Sequence, residues 1–368
     1  MEAPFLKRNP SDLFLFTVIM ALLVLGLIMV TSASAPESLS DTGGTSVFHY
    51  GLRQLIFAVI GIGFMFFMMK FPYQYLKRFT VSVSIVSLIL LIVVLMFEAK
   101  KGSHRWIDLG LFEPQPSEFA KLAVIMFMAH YLAEIKKGVN NFIIGMFIPL
   151  ICVSIVCMLI MKEPDLGTTI VIFATFMMML FAGGVPFSYM SFLGFVGLGI
   201  GIVMAVNADY RLKRLIAFVN PWKDPQGDGW QIIQSLYALG SGGPFGLGLG
   251  MSRQKFHYLP EAHTDYIFSI LGEELGLIGT LTVLLLFFFL AWRGYKIAIS
   301  CQDPYGRLLA TGITSWLVFQ AILNIGVVTS SIPVTGITLP FLSYGGSSLL
   351  VSLFSVGILL NISKNTTP

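Results

Sequence analysis

His257-Tyr258-Leu259-Pro260-Glu261-Ala262-His263-Thr264-Asp265-Tyr266-Ile267-Phe268-Ser269-Ile270-Leu271-Gly272-Glu273-Glu274-Leu275-Gly276 opens as a polar loop and becomes an apolar helix that runs on to about Ala291. Asp265 stands at the junction, with Glu273 and Glu274 about two helical turns deeper. A charge inside a membrane helix costs about 2.5 kcal/mol or more, so an ionisable group there is a functional candidate. The competing reading is a helix cap, because Asp at a helix start accepts backbone N–H bonds. The stretch alone leaves both open.

The rest of the chain decides the setting of that junction. Of 368 residues, 56% are hydrophobic and 11% charged, against about 25% charged in a soluble domain. An integral membrane protein follows. The net charge of +4 says little about partners, and no basic tail or aromatic-basic module points to nucleic acid. Cys152, Cys157 and Cys301 have neither metal nor disulfide spacing and read as structural bystanders.

Apolar segments of spanning length lie near 13–32, 52–70, 77–97, 117–134, 141–161, 167–183, 187–206, 266–291, 307–329 and 340–361. The first follows Lys7 and Arg8 with no cleavage site, so it doubles as an uncleaved anchor. No alternating strand pattern occurs, and the expected fold is all-α and polytopic, with about ten transmembrane helices in a single domain over 1–368. Basic residues of the short loops set the orientation. Lys7, Arg8, Lys77, Arg78, Lys136, Lys137, Arg293, Lys296, Arg307 and Lys364 fall on one side, which makes both termini cytoplasmic.

Residues 207–265 form the one long loop, on the outer side. Tyr210–Ile216 and Trp230–Tyr237 have helical apolar spacing with aromatic residues, as in helices lying at the membrane interface. The glycine-rich run 240–250 matches neither phosphate-binding fingerprint and reads as a mobile hinge. His257, Glu261 and His263 do not have zinc spacing and read as solvated loop residues. Tyr344-Gly345-Gly346-Ser347-Ser348 reads as a site of close helix packing.

A second outer constellation matters as much as the first. A compact loop around Arg105-Trp106-Ile107-Asp108 leads into Gln115-Pro116-Ser117-Glu118-Phe119-Ala120-Lys121, where Pro116 and Ser117 favour a helix start. Glu118 and Lys121, at i and i+3, share one helix face and can pair. They lie at the depth expected for Asp265, so carboxylate, ammonium and carboxylate would meet in a partly dry cleft. There Lys121 would keep Asp265 ionised. An ion pair that merely holds helices in register is the alternative.

Gly102-Ser103 with Arg105-Trp106-Ile107, Gln115 to Lys121, Glu163-Pro164-Asp165-Leu166-Gly167-Thr168, Gln231-Ile232-Ile233-Gln234-Ser235, the opening stretch itself, and Pro333-Val334-Thr335-Gly336 with Leu339-Pro340-Phe341-Leu342-Ser343-Tyr344-Gly345-Gly346-Ser347-Ser348 follow one another along nearly the whole chain. Together they resemble the SEDS family (shape, elongation, division and sporulation; the FtsW/RodA/SpoVE group). The Val334–Phe341 spelling is most similar to its division and sporulation branch. His263 before Thr264 is spelled as in the elongation branch, and Glu113 stands where many relatives carry a basic or apolar residue.

The resemblance implies a ten-helix peptidoglycan glycosyltransferase of the bacterial cytoplasmic membrane. It would polymerise lipid II at the outer face, beside a class B penicillin-binding protein that crosslinks the strand. It assigns Asp265 as the catalytic base, with Glu118, Lys121 and Arg53 lining the same cavity. Lys121 and Arg105 are the expected partners of the leaving pyrophosphate, and Gln115 and Ser117 complete the substrate-binding set. No metal ligand is assigned; a divalent cation, Mg or Mn, is the one cofactor that the chemistry admits. Two rival classes stand beside this reading, a lipid II flippase and a scaffold that recruits a penicillin-binding protein.

Overall fold

The computed structural model describes residues 10–97, 104–108, 110, 113–206 and 209–366. Lys7, Arg8, Lys100, Lys101 and the Gly102-Ser103 pair lie outside the described residues. Among the described residues there is no β-strand. In chain order the helices are α1 (Leu13–Ala33), α2 (Ala35–Asp41), α3 (His49–Lys70), α4 (Leu76–Val94), α5 (Pro116–Ile135), α6 (Ile148–Lys162) and α7 (Leu166–Ala182). After these come α8 (Phe187–Val206), α9 (Asp209–Val219), α10 (Trp230–Ser241), α11 (Ile267–Ser300), α12 (Pro304–Val328) and α13 (Gly346–Ser363).

Asp caps explain several of the starts. Asp12 Oδ1 accepts Leu15 N–H at 2.9 Å, Asp165 Oδ1 accepts Thr168 N–H at 3.0 Å, and Asp303 Oδ2 accepts Gly306 N–H at 3.1 Å ahead of Pro304. Among the described residues seven helical stretches are long and apolar enough to cross a membrane: α1, α3, α4 with its leading turn, α6 with its leading turn, α11, α12 and α13. The other expected segments fold as α5, α7 and α8. α5 carries Glu118, Lys121 and Glu134, and α7 has 17 residues, so neither has the plain signature of a span.

The exposed faces are apolar. Leu52, Leu55, Ile56 and Val59 of α3 and Val81, Ile85 and Ile89 of α4 point outward, as lipid-facing helices require. The centre belongs to α12 and α13, whose apolar windows are 72% and 83% buried, against 22% for the α4 stretch. α13 packs along α3, while α12 lies against α5, α7 and α11.

Two elements differ from the sequence pattern. α11 is broken at Gly276 (φ 65°, ψ −161°). The break frees two carbonyls and two N–H groups, each costly to leave unpaired away from water. The glycine-rich loop meets all four: Leu247 and Gly248 donate to Glu273 O and Glu274 O at 2.9 and 3.0 Å. Leu277 and Ile278 in turn donate to Gly243 O and Pro244 O at 2.9 and 3.2 Å. A Cβ on Gly246 would lie 2.1 Å from Glu274 O, and one on Gly276 2.3 Å from Gly246 N, so only glycine allows this approach. The run expected as a mobile hinge is a wedge that completes a broken helix.

The second difference is α13, which begins at Gly346 and not near 340. The apolar residues 337–342 are buried but not helical, because Pro340 and left-handed Gly336 and Phe341 (φ 67° and 66°) interrupt the path.

Candidate active site

The segment between α12 and α13 organises the site. Residues 333–339 are neither helix nor strand, with left-handed Gly336 in their midst, and they contact α7, α12 and the turn that carries Asp265. Thr338 O accepts Gln320 Nε2 at 2.9 Å and Ile337 O accepts Asn324 Nδ2 at 2.7 Å, both from α12. A Cβ on Gly167, at the start of α7, would lie 3.1 Å from Thr335 O, and one on Gly336 would lie 3.3 Å from Asp265 Oδ2. The segment thus passes close to the Asp265 carboxylate.

Asp265 sits on the turn before α11, half-buried, and its backbone is gripped at successive carbonyls. His263 O accepts Tyr344 N–H at 2.9 Å, Thr264 O accepts Ser343 Oγ at 2.6 Å, and Asp265 O accepts Asn324 Nδ2 at 2.7 Å. The capping alternative does not describe this turn, since no side chain caps α11. Burial pushes the Asp265 carboxyl up to about 6. The Glu261 and Asp165 carboxylates push the same way, while the Arg105 and Arg214 guanidinium groups oppose.

Glu118 and Lys121 are both buried on α5 and pair at 2.8 Å. Lys121 Nζ also donates to Gln320 Oε1 at 2.8 Å and lies 5.0 Å from the Trp316 ring centre. Trp316 Nε1 donates to the same oxygen at 2.8 Å, which fixes the Gln320 amide with its nitrogen on Thr338 O. Lys121 therefore reaches the site from behind, through Gln320 and Thr338; the leading cations around Asp265 are Arg105 and Arg214. Glu118 Oε2 is buried without a hydrogen-bond partner among the described residues.

Arg105 is partly buried and bridges two elements. Its Nη2 donates to Pro164 O at 2.6 Å and its Nε to Glu163 O at 3.3 Å, with Asp165 Oδ2 3.9 Å away. Glu163 is buried and neither of its oxygens has a partner among the described residues. Burial, with Asp165 beside it and Arg105 opposing, pushes its carboxyl up to about 9, so it is held as the neutral acid. Arg53, exposed on α3, reaches the Tyr344 hydroxyl. Gln115 and Ser117 bond each other at 3.1 Å, and Gln115 N–H donates to Ser347 Oγ at 3.1 Å, which ties the start of α5 to α13.

His263, expected in solvent, is buried: Nδ1 lies 3.1 Å from Glu37 Oε2, and its ring packs against both Tyr50 and Tyr344, which also touch each other. Among the described residues no three His, Cys, Asp or Glu side chains gather as a metal site would require. Sequence reasoning passed over Gln320 and Asn324, an i, i+4 pair of amides in an otherwise apolar helix. That spacing was a readable signal. Gly336 stood within a quoted motif and Arg214 among the basic residues of the long loop, but only the folded chain brings them to Asp265.

The arrangement is that of a polytopic helical membrane protein with ionisable groups gathered where helices begin. A family model described as "Cell cycle protein", that of the FtsW, RodA and SpoVE proteins, matches residues 12–368. The chain is 48% identical over 361 residues to "Stage V sporulation protein E" of Bacillus subtilis (strain 168), covering 97% of this chain and 98% of that protein. It is 45% identical over 370 residues to "Probable peptidoglycan glycosyltransferase FtsW" of Trichlorobacter lovleyi, covering 99% and 95%. Among solved structures it superposes on the rod shape determining protein RodA of Thermus thermophilus with a TM-score of 0.72, at 25% identity over 97% and 98% of the two chains. A chain from "Structural coordination of polymerization and crosslinking by a peptidoglycan synthase complex" gives 0.78, at 27% identity over 96% and 97%. The chain belongs to the SEDS family.

Proposed function

We propose that the chain is a peptidoglycan glycosyltransferase that polymerises lipid II, with Asp265 as general base. One observation carries this reading: a carboxylate gripped at its own backbone, half-buried, and raised to about 6 with guanidinium groups in electrostatic reach. Such a group is ionised at neutral pH yet basic enough to take a proton from a sugar hydroxyl. The names of the SpoVE and FtsW relatives support the same assignment.

In the proposed step Asp265 removes the proton of the acceptor's 4-hydroxyl. That oxygen bonds to the anomeric carbon of the donor with inversion, the bond from that carbon to phosphate breaks, and undecaprenyl pyrophosphate leaves with the electron pair. Of the expected set, Arg105 is the basic side chain that acts on the Asp265 charge, which suits it to the developing charge. Lys121 and Glu118 hold the α5 wall in place through Gln320, Gln115 and Ser117 tie the start of α5 to α13, and exposed Arg53 is the one of the set open to an incoming ligand. Mg or Mn accompanying the pyrophosphate would need one or two carboxylates; the step proposed here uses side chains alone.

The same reading places about ten helices across the cytoplasmic membrane, both termini inside, with 207–265 and the site facing outside. It also gives the chain a class B penicillin-binding protein as partner; the solved complex described as coordinating polymerization and crosslinking supports that pairing. A flippase would use a broken helix such as α11 to offer backbone groups to its cargo. Here the wedge consumes those groups. The test is labelled lipid II supplied in detergent to the purified chain with its partner. The parent should form polymer and Asp265→Asn should lose about 100-fold or more of the rate. Equal polymer from both would reject the base, and no polymer from the parent would favour the flippase or scaffold.

A further inference from the structure

We propose that the cavity bounded by α9, the 226–230 turn and α10 is a saccharide subsite that seats the acceptor sugar beside Asp265; this rests on the glycosyl transfer proposed above. The cavity has a volume of about 350 Å³ and is lined by Arg214, Asp228, Trp230, Gln231, Pro260 and Val334, among others. That size lies at the lower end of ligand pockets.

The lining selects the ligand. A cation, an anion and a carboxamide face one space, with an aromatic side chain among them. A bare phosphate would meet Asp228 as well as Arg214, and a lipid chain would strand polar walls. A neutral ring carrying hydroxyl and acetamido groups answers both signs, and Trp230 supplies a surface for its apolar face. The indole is pinned by its edge, Nε1 donating to Tyr258 O at 2.7 Å, so its plane is set before any ligand arrives. Arg105 and Lys121 do not line the cavity, and Asp265 itself stands outside its wall, so the ring would be held next to the reacting groups and not among them.

Position selects the role. Val334 lies two residues before Gly336, where an added Cβ would lie 3.3 Å from the Asp265 carboxylate. Arg214 donates to Val334 O at 3.4 Å and acts on the charge of Asp265. Tyr266, next to Asp265, has its hydroxyl 3.5 Å from Gln231 Oε1. Val334, Arg214 and Gln231 thus join the cavity wall to Asp265 and its neighbours.

The test captures the ligand without turnover. Gln226, exposed at the rim, is replaced by a photo-crosslinking residue in the full-length Asp265→Asn chain, which is irradiated with labelled lipid II. An adduct is expected, suppressed by excess soluble GlcNAc–MurNAc disaccharide and reduced at least about tenfold by Asp228→Asn with Gln231→Ala. Suppression by undecaprenyl pyrophosphate but not by the disaccharide would overturn the assignment. So would the absence of an adduct in a crosslinker-bearing chain that still polymerises when Asp265 is restored. The two proposals fail separately. An adduct together with undiminished polymer from Asp265→Asn removes the base and keeps the subsite; polymer lost without an adduct does the reverse.

Discussion

Asp265 owes its basicity to where its turn is held. Were the carboxylate in open water it would be a far weaker base, near the ordinary aspartate value of about 4. Burial and Glu261 raise it to about 6. Protonation removes the base, so the polymerisation rate should fall as pH drops through about 6, read from initial rates between pH 5 and 8. Glu261→Gln removes one raising charge and should move that acid limb to lower pH. A limb unmoved by this change would mean that Glu261 has no part in setting the value. Asn324→Ala leaves the Asp265 and Ile337 carbonyls without their donor. Each unpaired group costs about 1–3 kcal/mol, and the expected kinetic signature is a fall in kcat with little change in KM. At this scale Asp265, Glu118 and Lys121 were legible, because charges in apolar helices are conspicuous. Arg214 was not, since its role depends on where a long loop lands.

The telling element is α11. Its pattern of apolar residues is continuous across Leu275 and Gly276, and one glycine among many gives no warning of a break. The break exists because the 243–248 loop can replace the lost helical bonds at backbone contact. Gly276→Ala combines a left-handed φ of 65° with a Cβ 2.3 Å from Gly246 N. It should destabilise by more than about 1 kcal/mol, seen as a lower melting temperature in detergent; an unchanged melt would show that the wedge is dispensable. The turn between α6 and α7 makes a different prediction. Glu163 is raised to about 9, far above its unfolded value, so folding favours its neutral form. Stability from this group is complete below the unfolded value and is lost as pH rises toward 9. Glu163→Gln should therefore flatten the fall in melting temperature between pH 5 and 9.

Across the whole molecule, buried charges join distant parts of the chain. Lys255 pairs with Glu274 at 2.8 Å and donates to Ser32 Oγ at 3.1 Å, so α1, the long loop and α11 share one network. Ser252 Oγ and Arg253 N–H bond Glu273 at 2.5 and 3.0 Å beside it. Lys255→Met strands a buried carboxylate and should cost about 3–5 kcal/mol, whereas Lys255→Met with Glu274→Leu should recover much of that. Equal losses in thermal stability for the single and double variants would deny the pair its role.

Composition and segment length alone were enough to require a helical membrane protein, because a chain this poor in charge has no other way to satisfy its backbone. The motif order along the chain likewise carried the family. Tertiary structure alone decided which charge faces which. Lys121, expected beside Asp265, reaches it only through Gln320 and Thr338, and His263 left solvent for an aromatic niche. The reason is geometric. Helical periodicity fixes neighbours along one helix, whereas the irregular 333–339 segment, which has no periodic signal, joins α7 and α12 to the Asp265 turn ahead of α11.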